Sequence, residues 1–306
     1  MLKNEILYDI IANTCRLFAC KKERLIMKCI LLCAGYATRL FPLTENFPKA
    51  LLKVGGKAII DYTLEKVNKI DDIDEIYLVT NAKYTKHFED WANEKNNIKP
   101  IKVFNDGTVS NDDRLGAIGD IEFVIENAKV DDDILVLATD NLFEFELTDF
   151  YNCYKEKKAP CVCVRKENYE LLKRLGVAEL DDNMRMVGFE EKPAEPKGKY
   201  AVYAEYIYPR EIVPQIKTYL EEGNSCDAPG NLVAYLYKKM PLYAYEFSGE
   251  CFDIGTHEAL AKLWALTPRG YTSNCRWWTM WKNSPCVLKK TLLIQRPFPK
   301  TCRPSV

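Results

Sequence analysis

The organisation of this chain follows from residues 32–51, which read Leu32-Cys-Ala-Gly-Tyr-Ala-Thr-Arg-Leu-Phe-Pro-Leu-Thr-Glu-Asn-Phe-Pro-Lys-Ala-Leu51. The apolar run Cys29–Cys33 leads into this stretch and predicts a buried strand. The small residues Ala34, Gly35 and Ala37 allow a ligand to approach the backbone, and N–H groups beyond a strand's carboxyl end can bind phosphate oxygens. The stretch therefore predicts a phosphate-binding loop.

Two common phosphate-binding loops do not fit this stretch. Walker A requires Gly-Lys-Ser/Thr, and the dinucleotide fingerprint requires a helix to begin at once, which Pro42 and Pro48 forbid. Instead the loop is long and carries Arg39 and Lys49 ten residues apart. Two cations at that spacing suit an extended triphosphate better than a single phosphate. The Gly55-Gly56-Lys57 segment is interpreted as the turn into the next helix.

Beyond this loop, short β-rich runs alternate with helical ones. Because the strands are continuously apolar, the alternation predicts βαβ units and an α/β fold with a mixed, mostly parallel central sheet. The predicted strands are Cys29–Cys33, Glu75–Thr80, Ile101–Phe104, Ile134–Ala138, Pro160–Val164, Val177–Leu180, Val187–Glu190, Ala201–Ile207 and Leu242–Glu246. The predicted helices are Ile59–Ile70, Lys83–Lys95, Leu115–Ala128, Leu147–Lys157, Glu211–Glu222, Gly230–Lys239 and Thr256–Leu266.

The pattern divides the chain into one domain over residues 27–266, an N-terminal extension over residues 1–26 and an atypical tail over residues 267–306. The tail holds three tryptophans without periodicity, and it is either poorly ordered or a partner-binding extension. The run Asp131–Asp133 is interpreted as a solvated turn.

Composition excludes several classes of protein. The 306 residues carry 43 Lys and Arg against 44 Asp and Glu, a net charge of −1, which argues against binding to nucleic acid or to a membrane surface. No apolar run approaches the roughly 18–20 residues that span a bilayer. The chain has 12 cysteines but no C-x-x-C pair, and the start shows no signal peptide, so we expect no structural zinc and a cytoplasmic location.

The loop resembles the signature of the sugar-1-phosphate nucleotidyltransferases, the group that contains glucose-1-phosphate thymidylyltransferases and mannose-1-phosphate guanylyltransferases. That signature is roughly G-G-x-G-T-R-L-x-P-L-T, followed by P-K and a V-x-x-K turn. The matching segments here are Thr38-Arg39-Leu40, Pro42-Leu43-Thr44, Pro48-Lys49 and Val54–Lys57. The resemblance implies a Rossmann-like fold of the nucleotide-diphospho-sugar transferase type, with Arg39 and Lys49 as catalytic residues and Ala34 and Gly35 at the substrate.

Two further landmarks are similar to the family's metal site. Ile134-Leu-Val-Leu-Ala-Thr-Asp-Asn141 ends an apolar strand where the family has G-D-N, and Cys251-Phe-Asp-Ile-Gly-Thr256 resembles W-x-D-x-G-T. The resemblance implies that Asp140 and Asp253 bind Mg²⁺ and that Asn141 contacts substrate. A carboxylate at the carboxyl end of a strand lies where open α/β sheets bind ligands. The alternative for Asp140 is an acidic residue that only starts a loop.

A third landmark concerns the acceptor. Gly176-Val-Ala-Glu179, followed by Val187-Gly-Phe-Glu-Glu-Lys-Pro193, resembles the family's G-V-x-x and E-K-P pair. The resemblance implies that Gly176 and Glu191 bind the sugar and that Lys192 binds its phosphate. A fixed lysine offsets the repulsion between an attacking phosphate and a triphosphate. The alternative is a solvated Glu-Glu-Lys turn.

The chain departs from the family pattern in three places. Two family glycines are replaced by Ala34 and Ala37, which predicts a slightly wider loop. In the base-reading region the chain has Asn111-Asp-Asp-Arg-Leu-Gly-Ala-Ile-Gly119, where Gly116 can let the backbone approach the base but the family's glutamine is absent. In Ala201-Val-Tyr-Ala-Glu-Tyr-Ile-Tyr208, Tyr203 and Glu205 change the acceptor pocket.

These features predict an enzyme that transfers a nucleoside monophosphate from a nucleoside triphosphate to a sugar-1-phosphate with Mg²⁺. A homo-oligomer is among the expected assemblies. One alternative is a cytidylyltransferase acting on phosphocholine, with Tyr203, Tyr206 and Glu205 forming a cage around the cation. The other is a non-catalytic regulator that binds nucleotide sugars. The base, the acceptor and the oligomeric state stay open at this point.

Overall fold

The central element of the sheet is strand β1 (Met27–Leu32), which has a parallel neighbour on each side. The computed structural model describes residues 26–95 and 99–266. The predicted tail, residues 267–306, and all but the last residue of the predicted N-terminal extension lie outside the described residues. Continuous apolar character places β1 in the interior, because only a strand covered on both faces tolerates it.

The remaining strands follow in chain order. They are β2 (Lys53–Val54), β3 (Lys57–Ala58), β4 (Ile73–Thr80), β5 (Ile101–Asn105), β6 (Asp133–Ala138), β7 (Asn141–Phe143), β8 (Cys161–Lys166), β9 (Gly176–Leu180), β10 (Met186–Glu191), β11 (Tyr200–Tyr208), β12 (Tyr243–Glu246) and β13 (Cys251–Asp253).

The helices are α1 (Ile59–Val67), α2 (Thr85–Glu94), α3 (Ala117–Ala128), α4 (Leu147–Lys157), α5 (Tyr169–Leu172), α6 (Val213–Glu221), α7 (Pro229–Leu236) and α8 (His257–Leu266). None of the helices in the described ranges is long and apolar enough to cross a membrane.

The nine-stranded sheet is mixed, as predicted. Strands β5, β4, β1 and β6 are parallel neighbours, and β11 then pairs antiparallel with β6. The long strand β11 joins the two halves, because β6 and β9 share one of its edges while β8 runs along the other. Two small antiparallel pairs, β2 with β3 and β7 with β13, lie outside this sheet.

The two faces of the sheet are covered by different helices. On β1, Cys29 and Leu31 belong to one apolar cluster, whereas Ile30 belongs to the other. The first cluster includes Leu64 of α1 and the second includes Ile118 of α3. Alternate residues of a strand face opposite sides, so β1 is buried by both layers.

Several predicted boundaries change. The helix predicted over Ile59–Ile70 ends at Val67, and the helix predicted from Lys83 begins at Thr85. The short elements β2, β3, β7, β13 and α5 were not predicted. The prediction of a solvated turn at residues 131–133 is wrong for Asp133, whose buried carboxylate accepts hydrogen bonds from the hydroxyl of Tyr154 at 2.5 Å and the N–H of Arg210 at 2.9 Å.

Candidate active site

The loop after β1 is held in place by a buried amide side chain, that of Asn81. The side chain of Asn81 is fully buried, donates to the carbonyl of Ala34 at 2.8 Å, and accepts from the N–H of Tyr84 at 3.1 Å. Gly35 is exposed, and a Cβ added there would meet nothing within 4 Å. The loop therefore has a rigid inner edge and an open outer face at the position where the sequence predicts phosphate contact.

The rest of the loop contains one strained residue, Ala37, whose conformation is stabilised by a hydrogen bond. Ala37 is left-handed, with φ of 47°, and its carbonyl accepts from the buried hydroxyl of Thr44 at 2.8 Å. Arg39 and Lys49 lie in separate 3₁₀ turns, Thr38–Leu40 and Lys49–Leu51. As Pro42 and Pro48 predict, no α-helix begins in this loop.

The β7–β13 pair brings the backbones of the two predicted metal ligands together. In this ladder Asn141 is opposite Asp253, and the N–H of Ile254 donates to the carbonyl of Asp140 at 3.2 Å. The Nζ of Lys49 lies 3.2 Å from Oδ2 of Asp140. Asp140 and Asp253, which are 113 positions apart in the sequence, are thus neighbours at the small β7–β13 pair.

Arg39 approaches the same point from the loop. A Cβ added at Gly255 would lie 3.0 Å from Oδ1 of Asp253 and 3.4 Å from Nη2 of Arg39. Glycine at this position therefore leaves room for a carboxylate and a guanidinium to lie close together. The side chain of Lys49 is only 10% exposed, so two cations and two carboxylates gather where at least one charge is shielded from water.

Two adjoining cavities open at this charged cluster. The loop cavity, of about 600 Å³, is lined by Ala34, Gly35, Lys49 and Gly116. The β11 cavity, of about 640 Å³, is lined by residues that include Asn141, Gly176, Glu191, Lys192 and Tyr203. Both cavities share a wall that includes Arg39, Asp140 and Gly255. Every residue that the sequence predicts for the site, except Glu205, lines one cavity or both.

The carboxylate of Glu191 lies between two glycines in the β11 cavity. Glu191 is opposite Gly176 in the β9–β10 ladder, and a Cβ added at Gly176 would lie 3.1 Å from Oε2 of Glu191. At Gly230, on α7, an added Cβ would lie 2.0 Å from the same oxygen. Gly230 therefore must be glycine if Glu191 keeps this position, and a Cβ at Gly176 would in addition lie 2.7 Å from Cζ of Phe189.

Lys192 directly follows β10 and lies beside Glu191. It is left-handed, with φ of 47°, and its Nζ lies 3.4 Å from Oε1 of Glu191. Its side chain is 59% exposed and lies on the wall of the β11 cavity. An exposed lysine at the rim of a cavity is available to an anionic group on a ligand.

The hydroxyl of Tyr203 is hydrogen-bonded within the protein. It donates to Oε1 of Glu167 at 2.7 Å, and Nε of Arg165 donates to the same oxygen at 2.5 Å. Burial and the negative charge of Glu167 raise the pKa of Tyr203. Tyr203 therefore presents its ring, and not a free hydroxyl, to the β11 cavity.

The predicted cation cage is wrong in its acidic member. Tyr203 and Tyr206 line the β11 cavity, but Glu205 is fully buried and neither of its carboxyl oxygens has a hydrogen-bond partner. Burial, followed by the charge of Asp140, raises the pKa of Glu205 to about 8. A buried and neutral acid cannot balance the charge of a cation in the cavity.

Gly116 has a packing role that the sequence did not reveal. It has φ of 80°, and a Cβ added there would lie 2.5 Å from the carbonyl oxygen of Cys226. The same segment is joined to α3 by hydrogen bonds from the N–H of Ala117 to the carbonyl of Asp227 at 3.2 Å and from the N–H of Ile118 to that of Cys226 at 2.9 Å. Glycine is thus required at the start of α3, whatever the ligand.

The sequence reasoning missed three residues at the cavities. Arg114 donates to both carboxylate oxygens of Asp227 at 3.3 Å and lines the loop cavity. Asp120 lines the same cavity from the first turn of α3. Asp227 belongs to an Asp-Ala-Pro-Gly segment that leads into α7, and this turn-forming composition was the available signal.

The donor set suits a hard divalent cation. Among the described residues no group of three or more His, Cys, Asp or Glu side chains can hold a metal ion. Mg²⁺ is commonly held by one or two carboxylates together with substrate phosphates, which is the set that Asp140 and Asp253 can begin. The residues present therefore fit Mg²⁺ if the substrate supplies the remaining oxygens.

Comparison with known proteins identifies the family. The family described as Nucleotidyl transferase matches residues 28–268, which is most of the chain. The chain belongs to this family. The bifunctional protein GlmU of Methanocaldococcus jannaschii is 31% identical over 232 residues, which cover 75% of this chain and 51% of that protein.

Other members of the nucleotidyl transferase family are similarly related. The glucose-1-phosphate adenylyltransferase of Clostridium novyi is 30% identical over 262 residues, covering 78% of this chain and 65% of that protein. A UDP-glucose pyrophosphorylase solved with UDP-glucose is 20% identical, with a TM-score of 0.66, and the match covers 78% of this chain and 97% of that one. The fold is therefore that of the nucleotide-diphospho-sugar transferases. The chain spans between one half and two thirds of the length of the curated relatives.

Proposed function

We propose that this chain transfers a nucleoside monophosphate from a nucleoside triphosphate to a sugar-1-phosphate, yielding a nucleotide sugar and pyrophosphate. One observation carries the proposal: two cavities of similar size meet at a wall shared by Arg39, Asp140 and Gly255. A reaction that joins two phosphorylated substrates requires two adjacent sites, with charged side chains at their junction to offset the repulsion between the phosphates. The loop cavity would take the triphosphate, and the β11 cavity would take the sugar phosphate.

In this reaction an oxygen of the acceptor phosphate attacks the α-phosphorus. A new P–O bond forms there, and the bond from the α-phosphorus to the bridging oxygen breaks, so that pyrophosphate leaves in line. The protein supplies positioning and charge stabilisation and needs no nucleophile of its own.

Three cationic side chains have different roles in positioning and charge stabilisation. Lys49 is largely shielded from water, so its charge acts strongly on a phosphate bound beside Asp140. Arg39 reaches the wall between the cavities, where its guanidinium can bind two oxygens of the leaving pyrophosphate. Lys192, at the rim of the β11 cavity, would hold the acceptor phosphate and reduce the repulsion between the two substrates.

Asp140 and Asp253 would hold Mg²⁺ together with phosphate oxygens. When bound, the ion would neutralise phosphate charge and align the triphosphate for displacement. The proximity of Lys49 to Asp140 supports this arrangement, because the ammonium group holds the carboxylate in place at 3.2 Å.

The residues of the β11 cavity suit a sugar phosphate better than phosphocholine. Glu191 presents a carboxylate between Gly176 and Gly230, where hydroxyl groups can donate to it. Phosphocholine has no hydroxyl to offer, and the acid that would have balanced its cation, Glu205, is buried. A cytoplasmic location and a homo-oligomer stay predictions.

The test is a screen for pyrophosphate release, pairing five nucleoside triphosphates with a panel of sugar-1-phosphates and phosphocholine in the presence of Mg²⁺. We expect release with a sugar-1-phosphate, and we expect EDTA to abolish it. Asp140→Asn and Asp253→Asn should each lower kcat by about 100-fold or more, a loss typical of removing a preorganised charge. The matched control is Asp131→Asn, an exposed carboxylate just before β6, at the opposite end of that strand from Asp140.

Three results would contradict the proposal. The first is no pyrophosphate from any pair of substrates, which would favour a binding protein without catalysis. The second is turnover of phosphocholine alone. The third is near-normal turnover in both aspartate variants at saturating Mg²⁺, which would refute the metal assignment.

A further inference from the structure

Arg165, near the end of β8, forms hydrogen bonds to two segments that are far apart in the sequence. Its Nε donates to Oε1 of Glu167 at 2.5 Å, and its Nη1 donates to the carbonyl of Gly249 at 2.6 Å. The carboxylate of Glu250 lies 3.6 Å from Nη1. Arg165 itself lines neither the loop cavity nor the β11 cavity. Any effect of Arg165 on a ligand must therefore pass through the residues that it contacts.

The first group of these contacts ends at the wall of the β11 cavity. The hydroxyl of Tyr203 donates to the same Oε1 of Glu167 at 2.7 Å, and the guanidinium carbon of Arg165 lies 5.8 Å from the centre of the Tyr203 ring. Phe247 packs edge-on against this ring, with the two ring centres 5.1 Å apart, and lies 5.7 Å from the guanidinium carbon. Because Tyr203 lines the β11 cavity, Arg165 helps to fix one wall of that cavity.

The second group of contacts ends at the strand that forms another part of the same wall. Strand β13 pairs with β7 over three residues and lies outside the nine-stranded sheet. Both Cys251 and Asp253 of β13 line the β11 cavity. Gly249, whose carbonyl accepts from Arg165, comes two residues before this strand. Arg165 therefore connects the segment leading into β13 with β8 of the main sheet.

The shape of a guanidinium group explains why arginine occupies this position. Its five N–H donors are fixed in one plane, so that Nε and Nη1 reach Glu167 and Gly249 at the same time. A lysine carries its three donors on one nitrogen and cannot span both acceptors. The side chains of Arg165 and Glu167 are 19% and 9% exposed, so this ion pair is largely shielded from water. The connection between the two segments is therefore strong and directional.

We propose that Arg165 is a positioning residue for the acceptor, because it fixes Tyr203 and β13 relative to each other and so maintains the shape of the β11 cavity. The proposal rests on the nucleotide transfer proposed above, in which this cavity takes the sugar phosphate. Small displacements of the groups that position a substrate cost much of its productive binding. None of the residues that Arg165 contacts lines the loop cavity, so binding of the triphosphate should not depend on it.

The kinetic experiment compares the two substrates in Arg165→Gln and Arg165→Lys. With the substrate pair that releases pyrophosphate fastest, at saturating Mg²⁺, Arg165→Gln should raise the KM for the sugar-1-phosphate by about tenfold or more. The KM for the triphosphate should change by less than about twofold, since the loop cavity is unaffected. Arg165→Lys should raise the acceptor KM by about threefold, because it keeps the charge but only one of the two connections. The control is Lys166→Gln, which removes an exposed ion pair with Glu246 from the next position of β8 and should leave both KM values unchanged.

Two measurements do not depend on turnover. Hydrogen exchange, followed by mass spectrometry, should be about tenfold faster over residues 249–254 in Arg165→Gln and unchanged over β1. A general loss of stability would instead increase exchange over β1 as well. Calorimetry without triphosphate, with glucose-1-phosphate, mannose-1-phosphate and N-acetylglucosamine-1-phosphate as probes, should show about tenfold weaker binding of the preferred probe. If Arg165→Gln does not fold, as judged by far-UV circular dichroism, Arg165→Lys takes its place in every measurement.

The possible results separate this proposal from the proposed activity. An unchanged acceptor KM, an equal rise in both KM values, or unchanged exchange over residues 249–254 would overturn the positioning role. If the wild type releases no pyrophosphate from any pair of substrates, the transfer activity is refuted, and exchange and calorimetry then decide the role of Arg165. Equal binding of the probes by the wild type and Arg165→Gln would overturn the proposal, as would the absence of binding to the wild type.

Discussion

Replacing Glu205 by glutamine should change how the stability of this protein depends on pH. Glu205 lies in β11, is fully buried, and has no hydrogen-bond partner for either carboxyl oxygen. Its pKa is raised from 4.5 to about 8, mainly by burial and further by the charge of Asp140. Glutamine has nearly the same shape but cannot ionise, so the substitution removes the titration with little change in packing.

The sign follows from proton binding. A carboxyl group with a higher pKa in the folded state holds its proton more tightly there, so its contribution to stability is complete at low pH and is lost as the pH rises from about 4.5 to about 8. Each pH unit in this window lowers the free energy of unfolding by about 1.4 kcal/mol. Between pH 5 and pH 8 the wild type should therefore lose roughly 3 kcal/mol through Glu205 alone.

The assay is urea unfolding at pH 5, 6, 7 and 8 in the presence of EDTA, followed by far-UV circular dichroism. Other buried acids also titrate in this range, so the comparison is between the slopes of the wild type and of Glu205→Gln. The control is Glu170→Gln, whose side chain is 80% exposed in the native protein and should give the wild-type slope. Parallel profiles for the wild type and Glu205→Gln would refute the view of Glu205 as a buried neutral acid.

Three further predictions concern the backbone and the buried tyrosine. Ala37→Gly should raise the free energy of unfolding by about 1 kcal/mol in urea, because glycine relieves the left-handed strain at φ 47°; an unchanged or lower value would contradict the strain. Gly116→Ala should lower it by about 2 kcal/mol or more, because the new Cβ would lie 2.5 Å from the carbonyl oxygen of Cys226; a neutral effect would show that this segment shifts freely. Tyr203→Phe should lower the free energy of unfolding by about 1–2 kcal/mol, because it removes the hydrogen bond to Glu167, and should change kcat little. A large loss of kcat at unchanged stability would show that the hydroxyl takes part in catalysis.

Much of the fold was predictable because its signals are local. The apolar run of β1, the small residues Ala34 and Gly35, and the two prolines Pro42 and Pro48 all act within a few residues of one another. Strand burial and the absence of a helix follow from backbone sterics and hydrophobicity, which adjacent residues supply. The sheet was therefore predicted as mixed α/β, with errors mainly at the ends of helices and in very short strands.

The candidate site was predictable only as a set of residues. Asp140 could be placed at the end of a strand, but only the family resemblance, and no local pattern, implied that Asp253 lies beside it. That contact depends on the pairing of β7 with β13, two strands of three residues each whose partners are more than 100 positions apart. Such short strands carry almost no pattern of their own, and tertiary packing determines which of them pair.

Burial separated residues that look alike in the sequence. Glu191 and Glu205 are both glutamates in strands near the acceptor residues, yet Glu191 lines the β11 cavity and Glu205 is fully buried. Sequence alone determined the residue types and their local structure. The tertiary structure decided which carboxyl groups lose water and which face the cavities, because desolvation depends on elements from the whole chain.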